Sequence, residues 1–150
     1  MQNLVFRDLS LEDLSNNSFW ITLHSLFHPH PVLPMSLKEV QDTYYYRQHI
    51  GVRTIVCTTK EDLIVATGSI FIEPKFRGKG DKSAHIEDVA VHVDYQQNGL
   101  GKALMLELIK ISEEAGCYKT TLCCSPANIG FYEKLGFHKH EYGMRREKVC

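Results

Sequence analysis

One stretch in the second half of the chain limits the possible folds more than any other feature. Residues 86–91 (IEDVAV) have the composition of a strand, and the loop 96–102 (QQNGLGK) places two glycines directly before a helical pattern. The apolar positions of that helix recur at steps of four and three residues: Leu100, Leu104, Leu108, Ile111 and Ala115. A strand that turns tightly into a helix exposes the first helical N–H groups and the positive end of the helix dipole. The sequence therefore predicts an α/β arrangement with an anion site at this turn.

Turn and capping signals divide the rest of the chain into further elements. The predicted strands cover, in chain order, residues 4–6, 52–58, 63–72, 85–93, 119–124 and 138–144. The predicted helices run from Ser10 toward His28, from Ser36 to Gly51, from Leu100 to Ala115 and from Ser125 to about Leu135. Residues 73–84 are predicted to form a basic loop. The order β-α-α-β-β-β-α-β-α-β predicts the α/β (α+β) class, with a single mixed β-sheet flanked by helices, antiparallel on one side and parallel toward its end.

Length and charge exclude several classes of protein. The 150 residues are expected to form a single domain spanning 1–150. Lys and Arg number 17 against 18 for Asp and Glu, a net charge of −1, so no general attraction to nucleic acid is built in. No apolar run approaches the roughly 20 residues that span a bilayer, which argues against membrane insertion. The 5 cysteines form no CxxC pair and no signal peptide precedes them, so we expect reduced thiols in a cytoplasmic protein.

The glycine loop fits one phosphate-binding pattern better than two others. A P-loop ending in Gly101 and Lys102 would need a glycine at Gln96, and a dinucleotide fingerprint starting at Gly99 would need a glycine at Leu104. Both patterns fail. The remaining pattern is Q-x-x-G-x-G, a pyrophosphate-binding signature. By itself it is equally compatible with a plain glycine turn that caps a helix.

A second group of residues lies on the last predicted helix. Asn128 and Tyr132 are four positions apart, so both side chains lie on one face of that helix. In acyl transfer from a thioester, the departing thiolate must be protonated or stabilised. A tyrosine hydroxyl, with an ordinary pKa of about 10, is a suitable proton donor for it, so Tyr132 is the candidate general acid for such a reaction. An isolated tyrosine at this position would more often be a half-buried packing residue.

A third feature is the acidic pair Glu87 and Asp88 within the strand before the glycine loop. Side chains alternate between the two faces of a regular strand, and a β-bulge here would redirect both. A carboxylate can orient an ammonium group and take its proton through water. We therefore predict that the pair is catalytic, although one of the two carboxylates could serve only solubility.

Together these segments carry a family resemblance. The matching stretches are residues 85–91 (HIEDVAV), 96–102 (QQNGLGK), 116–119 (GCYK) and 131–137 (FYEKLGF). From residue 85 to residue 144 the chain resembles the glucosamine 6-phosphate N-acetyltransferases of the GNAT acetyltransferase superfamily. That resemblance implies the GNAT fold, acetyl-CoA as co-substrate, no metal, and direct attack in a ternary complex. It also implies a homodimer that acetylates glucosamine 6-phosphate on the path to UDP-N-acetylglucosamine.

The resemblance also implies which residues bind each substrate. The pantetheine arm of the coenzyme would pair with the strand at Val89, Ala90 and Val91. The remaining coenzyme-binding residues would be Gln97, Asn98, Gly99, Leu100, Gly101, Lys102, Asn128 and Tyr132. Glu87 and Asp88 would meet the sugar amine and hydroxyls. Further candidates on the acceptor side are Lys75, Phe76, Arg77, Gly78, Tyr118, Lys119, Cys123, Arg146 and, near the sugar phosphate, His28.

One departure from the family pattern leaves alternatives open. Cys123 stands where the family usually carries an acidic residue, and a largely neutral thiol cannot replace a carboxylate's charge. The alternatives are therefore a GNAT enzyme that acetylates another amine (a polyamine, an aminoglycoside or a protein) and a non-catalytic acyl-CoA-binding sensor. A polycationic acceptor would favour an acidic cleft rather than the basic loop at residues 75–78. His24 and His28 lie four residues apart without an acidic ligand beside them, which favours packing or loop roles over zinc.

Overall fold

The computed structural model describes residues 4–27 and 33–147, and in that part of the chain it contains one sheet with helices on both faces. The strands are β1 (Val5–Asp8), β2 (Val52–Thr58), β3 (Ile64–Pro74), β4 (Lys82–Val91) and β5 (Cys117–Leu122). The α-helices are α1 (Asn17–His24), α2 (Leu37–His49), α3 (Leu100–Glu114) and α4 (Ile129–Glu133). The strands lie in the order β1-β2-β3-β4-β5, and all neighbours are antiparallel except β4 and β5, which are parallel. The prediction of a mixed sheet with a parallel end is confirmed.

Two apolar clusters cover the two faces of the sheet. On β2, Ile55 and Cys57 belong to the cluster of α3, whereas Val56 between them packs with Phe19 of α1. Because strand side chains alternate in direction, α1 and α3 lie on opposite faces. The helix α3 approaches the sheet closely at Gly68, where an added Cβ would lie 2.9 Å from Leu108 Cδ1. Gly68 therefore lets the helix that follows the glycine loop sit against β3.

The predicted first helix is interrupted near its start. Asp13 accepts a hydrogen bond from the Ser10 N–H at 2.8 Å and another from Arg7 Nη2 at 2.8 Å, so its carboxylate is tied to the end of β1. Only a single 3-10 turn, Glu12–Ser15, forms there. The helix α1 begins after Asn16, whose side chain accepts the Ser18 N–H at 3.0 Å, and it ends at His24. The prediction that one helix opens at Ser10 was therefore wrong, and its expected end at His28 lies outside the described residues.

The other predicted helix starts and ends agree more closely with the structure. Ser36 and Glu39 form the predicted capping box at the start of α2, with the Ser36 N–H donating to Glu39 Oε2 at 2.7 Å. The helix α3 begins at Leu100 and ends before Gly116, as predicted. The helix predicted from Ser125 is instead a 3-10 turn, Pro126–Asn128, followed by the short α4, and the Ser125 side chain makes no capping hydrogen bond.

Two strand predictions need correction. The predicted basic loop 73–84 shrinks to residues 75–81, because Ser83 and Ala84 are fully buried and pair with Glu73 and Ile72 of β3. The predicted last strand, 138–144, is not a strand in the structure. Tyr142 and Met144 are both 98% exposed there, and the stretch has no neighbouring strand among residues 4–27 and 33–147. A lone extended segment has no partner for its backbone hydrogen bonds, so it is not a strand.

No helix within residues 4–27 or 33–147 is both long and apolar enough to cross a membrane.

Candidate active site

The strand β4 gains a free edge where it passes the acidic pair. Its pairing with β5 ends at Ile86 and Leu122, although β4 itself continues to Val91. Immediately beyond, the two residues Asp88 and Val89 stand opposite the single residue Gly68 of β3, which is a β-bulge. At this bulge Asp88 adopts a left-handed backbone conformation with φ +53°, so the strand is not regular at the acidic pair. In the described part of the chain, no strand pairs with the β5 side of residues 89–91.

The glycine loop joins this free edge to the start of α3. Gln97 and Gly99 have positive φ angles of 63° and 78°, so two left-handed residues fold the loop back onto the helix. The first helical hydrogen bond runs from the Ala103 N–H to the Gly99 carbonyl at 3.0 Å. The N–H groups of residues 100–102 therefore have no carbonyl partner within the helix. They form the positive end of a 15-residue helix, which is suited to binding a phosphate.

Different physical requirements explain why glycine stands at each of the two positions 99 and 101 of this loop. Gly99 needs its left-handed conformation, which explains it as the residue that caps α3. Gly101 has no positive φ, and an added Cβ would find its nearest atoms, in Phe131 and Val91, at an ordinary contact distance of 3.6 Å. Backbone strain and packing within the protein therefore do not explain the glycine at position 101. Close approach of a bound pyrophosphate to this backbone would explain why the residue has no side chain.

The helix α4 packs beside this loop and carries the candidate acid. The Phe131 ring faces Gly101, and the neighbouring Tyr132 is half-buried against the main core cluster, edge-on to both Phe131 and Phe137. Burial, with a smaller contribution from Cys124, raises the pKa of the Tyr132 phenol. The hydroxyl therefore stays protonated at neutral pH and is available as a donor. Asn128 is exposed, and its side chain does not cap α4, which leaves its amide free for a ligand.

On the other face of the sheet, α1 and α2 enclose a cavity of about 430 Å³ with the floor formed by β2, β3 and β4. We call it the α1–α2 cavity. Phe19, Trp20 and Leu23 supply an apolar wall, and the polar residues Thr54, Thr67, Ser69 and Asp88 lie together on the side of the strands. The volume is in the range of small-molecule sites. The bulge thus places one member of the predicted acidic pair in the lining of a cavity.

Glu87 lies next to this cavity but is not part of its lining. It is exposed and pairs across the sheet with Ser69 of β3, which does line the cavity. Both carboxylates of the pair are therefore near the cavity mouth, at the start of the free edge of β4.

The predicted basic residues gather at the opposite end of β4. The Arg77 guanidinium lies 4.8 Å from the centre of the Tyr118 ring, and the Lys119 ammonium lies 5.5 Å from it. Arg77 also pairs with Asp81 at 3.7 Å. Lys119 pairs with Ser83 in the sheet, and Glu87 is four residues further along β4, or about 13 Å at 3.3 Å per residue. In a single chain, this basic cluster is therefore well separated from the acidic pair.

Lys75 is held in a network on the strands rather than free in the loop. Its ammonium pairs with Glu73, and the same Glu73 Oε2 lies 2.8 Å from His85 Nε2. The other ring nitrogen of His85, Nδ1, lies 2.9 Å from Thr121 Oγ1. The hydrogen bonds from Lys75 and His85 lower the pKa of Glu73 to about 2, so this carboxylate stays charged. The network links β3, β4 and β5 just before β4 and β5 part.

The remaining predicted acceptor residues are scattered. Phe76 is fully exposed at the tip of the loop, and Gly78 has a positive φ of 55°. Cys123 is exposed just after β5, and Arg146 is exposed in the segment that follows α4. Because Leu122 pairs with Ile86, Cys123 follows at the level of Glu87 and is therefore near the acidic pair. The structure does not bring Phe76, Gly78 or Arg146 to this pair, and His28 lies outside the described residues. Among residues 4–27 and 33–147, no group of three His, Cys, Asp or Glu side chains is arranged to hold a metal ion.

Comparison with known proteins accounts for this arrangement. Residues 18–137 match the acetyltransferase (GNAT) family. The chain belongs to the GNAT acetyltransferase family. It is 40% identical over 139 residues to a glucosamine 6-phosphate N-acetyltransferase of Trypanosoma brucei brucei, covering 92% of this chain and 95% of the relative. It is 34% identical over 131 residues to the protein of the same name from Candida albicans, covering 87% of this chain and 71% of the relative.

Solved structures agree over almost the whole chain. A Trypanosoma brucei acetyltransferase superposes with a TM-score of 0.89 at 39% identity, covering 97% of this chain and 100% of that one. The glucosamine-6-phosphate N-acetyltransferase of Arabidopsis thaliana superposes with a TM-score of 0.87 at 29% identity, covering 97% and 99%. The expected GNAT fold is therefore confirmed, with the corrections to the element order described above.

Apart from Asp88, sequence reasoning did not identify the residues that line the α1–α2 cavity. Arg47 and Trp20 line it from two helices, and Ser69 lines it from β3, so no local motif joins them. Gln96 was part of the glycine-loop pattern but was not predicted to bind. Its side chain donates to the Val91 carbonyl at 3.0 Å and so ties the loop to the end of β4. Only the alternation of side chains along β3 could have indicated that the polar residues Thr67 and Ser69 face the same side of the sheet.

Proposed function

We propose that this chain transfers the acetyl group of acetyl-CoA to the amine of glucosamine 6-phosphate, producing N-acetylglucosamine 6-phosphate and free coenzyme A. The observation that carries the proposal is the β-bulge at Asp88. At this bulge Asp88 lines the cavity, and the edge of β4 that β5 leaves free begins within a few residues of it. The curated relatives described above favour the same acceptor.

The coenzyme side of the proposal rests on backbone groups. Residues 89–91 offer an unpaired strand edge to which the amide-containing pantetheine arm can add as an extra strand. The N–H groups at the start of α3, within the loop 97–102, suit the pyrophosphate. Asn128 offers an uncommitted amide nearby on the α4 side.

The acceptor side rests on the acidic pair. Asp88, on the cavity lining, is proposed to hold the ammonium group of the sugar, and the exposed Glu87 beside it is proposed to contact a hydroxyl. The amine must lose a proton before its nitrogen can attack the thioester carbonyl. We propose that this proton leaves through water toward the carboxylates.

Tyr132 completes the proposed reaction. The new C–N bond forms as the C–S bond breaks, and the electron pair of the C–S bond stays on sulfur. The Tyr132 phenol donates its proton to this sulfur, or a hydrogen bond while charge develops there. Its raised pKa keeps the phenol protonated at the pH at which the amine is acetylated.

We also propose a homodimer in the cytoplasm. In the described part of the chain, β5 has a strand on one side only, and residues 138–147 are exposed beside it. A second copy could cover this edge. Because the cluster of Arg77, Tyr118 and Lys119 is well separated from the acidic pair within one chain, we propose that it reaches the acceptor from the partner subunit, together with Phe76, Gly78 and Arg146. Lys75, bound through Glu73 to His85, and Cys123, next to Leu122, are proposed to contact the acceptor from the same chain.

The direct test is coenzyme thiol release with acetyl-CoA and a panel of amines. Glucosamine 6-phosphate should give the highest kcat/KM, above glucosamine, spermidine, an aminoglycoside and a lysine peptide. Turnover of one of the other amines with none on glucosamine 6-phosphate would replace the acceptor and keep the reaction. Binding of acetyl-CoA without turnover on any amine would favour the sensor alternative.

A further inference from the structure

Three side chains join β3, β4 and β5 close to the point where β4 and β5 separate. The His85 ring lies between two partners, with Nε2 2.8 Å from Glu73 Oε2 on β3 and Nδ1 2.9 Å from Thr121 Oγ1 on β5. Because the Glu73 carboxylate, with a pKa of about 2, can only accept, His85 Nε2 is the donor of the first hydrogen bond. We call Glu73, His85 and Thr121 the His85 clamp. It connects β3 to β5 across β4.

The ring of His85 is suited to this connection and is held in orientation. An imidazole carries one nitrogen on each side, so a single rigid side chain contacts both partners at once. Phe71, the cross-strand neighbour of His85 on β3, stacks on the ring with centroids 6.2 Å apart and planes inclined by 25°. Contacts on the face and on both edges of the ring therefore fix its position between the strands.

The His85 clamp lies on the face of the sheet that carries the α1–α2 cavity. Ser69, which lines the cavity, is the cross-strand partner of Glu87. Side chains alternate along a strand, so His85, two residues before Glu87 in regular pairing with β3, shares this face. Thr121 contacts His85 from the neighbouring strand on the same face. The clamp is therefore on the side of the sheet where the acceptor is proposed to bind.

The clamp also lies where the two strands begin to separate. His85 pairs with Thr121 and Ile86 with Leu122, and the pairing of β4 and β5 ends there. Beyond this point β4 continues as the free edge proposed for the pantetheine arm, whereas the chain after β5 leads to α4 and Tyr132. The gap between the two segments depends on how the strands are held where they separate. In the proposed reaction, the amine and the thioester meet in this gap.

We propose that His85 is a positioning residue that fixes the width of the gap between β4 and β5 by joining Glu73 to Thr121. This rests on the proposed function, in which the pantetheine arm follows the free edge of β4 and the amine approaches from the α1–α2 cavity. His85 touches neither reacting group. A reaction between two bound groups is sensitive to displacements of about 1 Å, so a wider gap lowers the rate of the reaction more than the affinity for either substrate.

The kinetic test changes Thr121, because this substitution leaves Glu73 and His85 in place. Thr121→Val keeps the side-chain shape and removes the hydroxyl. It should lower kcat with glucosamine 6-phosphate by about 10- to 30-fold and change acetyl-CoA affinity and the KM of the acceptor by less than about threefold. Thr121→Ser retains the hydroxyl and should keep kcat within about threefold of wild type. Equal kcat in wild type and Thr121→Val, a loss carried by KM alone, or equal losses in both variants would overturn the proposal.

A double-mutant cycle tests whether the two side chains act as one connection. His85→Leu removes both hydrogen bonds of the ring and should lower kcat by a similar factor to Thr121→Val. Once either partner of this hydrogen bond is lost, loss of the other removes no further connection to β5. The double variant His85→Leu, Thr121→Val should therefore have a kcat within about threefold of His85→Leu. Fully multiplied losses in the double variant would overturn the proposal.

The matched control is Thr120→Val, one residue earlier on β5. The Thr120 hydroxyl lies 2.7 Å from Ser112 Oγ of α3, so it makes a hydrogen bond of the same kind on the opposite face of the sheet. Its removal weakens the attachment of β5 to α3 and leaves the His85 clamp intact. We expect kcat to stay within about threefold of wild type. A loss as large as in Thr121→Val would overturn the proposal, because any weakening of β5 would then have the same effect.

Hydrogen exchange tests the clamp without acetyl transfer. In the coenzyme-free chain, nuclear magnetic resonance should show that the backbone amides of residues 121–123 exchange at least about tenfold faster in Thr121→Val than in wild type, because the end of β5 opens more often. Thr121→Ser should exchange like wild type. Unchanged exchange in Thr121→Val would overturn the proposal even if glucosamine 6-phosphate is acetylated. If exchange is faster but the sugar is not acetylated, the clamp stands and the proposed function falls.

Discussion

The two halves of the candidate active site are built from different parts of the polypeptide. The coenzyme half, around the free edge of β4 and the start of α3, consists mainly of backbone groups within residues 89–102. The acceptor half, around the α1–α2 cavity, consists of side chains from α1, α2 and three strands. The first half is a continuous piece of chain, and the second is assembled by the tertiary fold. A coenzyme shared by many enzymes needs only the former, whereas the choice of acceptor depends on the latter.

This difference yields predictions in which the two halves respond separately. The largest effect should come from Tyr132, the proposed acid, which packs against the core cluster on the α3 face.

Tyr132→Phe should lower kcat by about 100-fold or more and change acetyl-CoA affinity by less than threefold, because the lost proton matters mainly as charge develops on sulfur. Steady-state kinetics and calorimetric titration measure the two quantities. Because burial raises the pKa of this phenol, any alkaline loss of rate caused by Tyr132 should occur only above pH 10. Tyr45→Phe, on the exposed surface of α2, is the control. Equal kcat in wild type and Tyr132→Phe would remove Tyr132 from the acid role.

Asp88→Asn should lower kcat/KM for the acceptor by about 30- to 100-fold while the affinity for acetyl-CoA stays within threefold, since the change removes a charge from the acceptor half. Asparagine tolerates the left-handed conformation at this position, so the bulge should persist. Asp62→Asn is the matched control, because Asp62 has a similar φ of 58° in a turn outside the cavity lining. A matching loss of acetyl-CoA affinity would mean that the two halves are not separate.

Gly101→Ala should weaken acetyl-CoA binding by about tenfold without lowering the melting temperature, because the protein itself leaves room for the new Cβ. Gly99→Ala provides the contrast: its φ of 78° should cost about 1 kcal/mol in the free energy of unfolding. Titration and thermal unfolding of both variants distinguish the two roles. Unchanged coenzyme binding by Gly101→Ala would return this loop to a plain helix cap.

Cys123→Ser should change kcat/KM for glucosamine 6-phosphate by less than twofold, the smallest effect of the series. The thiol is exposed, and a serine hydroxyl is close to it in size and shape. The measurement is the same thiol-release assay, and Cys124→Ser is the control. A loss above tenfold in Cys123→Ser alone would show that the thiol itself takes part in the reaction.

The same contrast explains what could be predicted from the sequence. The glycine loop, α3, Asn128 and Tyr132 are local patterns, and the structure joins the loop to α4 through the contact of Phe131 with Gly101. The tight turn at the glycines followed from residue type, whereas alternation along the strand did not by itself predict the bulge at Asp88. The wall of the α1–α2 cavity could not be foreseen, because Arg47 and Ser69 are 22 positions apart and meet only when α2 folds over β3.

The errors have physical reasons of the same kind. Ser10 and Asp13 make the reciprocal hydrogen bonds of a capping box, but Asp13 is also held by Arg7 from β1, and only a 3-10 turn follows. Residues 138–144 were predicted to be a strand, yet the described part of the chain supplies no neighbouring strand for them. Residues 82–84 were assigned to a loop, although Ser83 is fully buried in β4. In each case the presence or absence of a tertiary partner, rather than local preference, decided the structure.

Product analysis tests the central claim most directly. The wild-type chain would be incubated with acetyl-CoA and glucosamine 6-phosphate, and both products would be quantified by nuclear magnetic resonance. The account predicts N-acetylglucosamine 6-phosphate and free coenzyme A in equal amounts, at a rate that Asp88→Asn reduces while acetyl-CoA binding persists. Bound acetyl-CoA without any acetylated phosphosugar would contradict it.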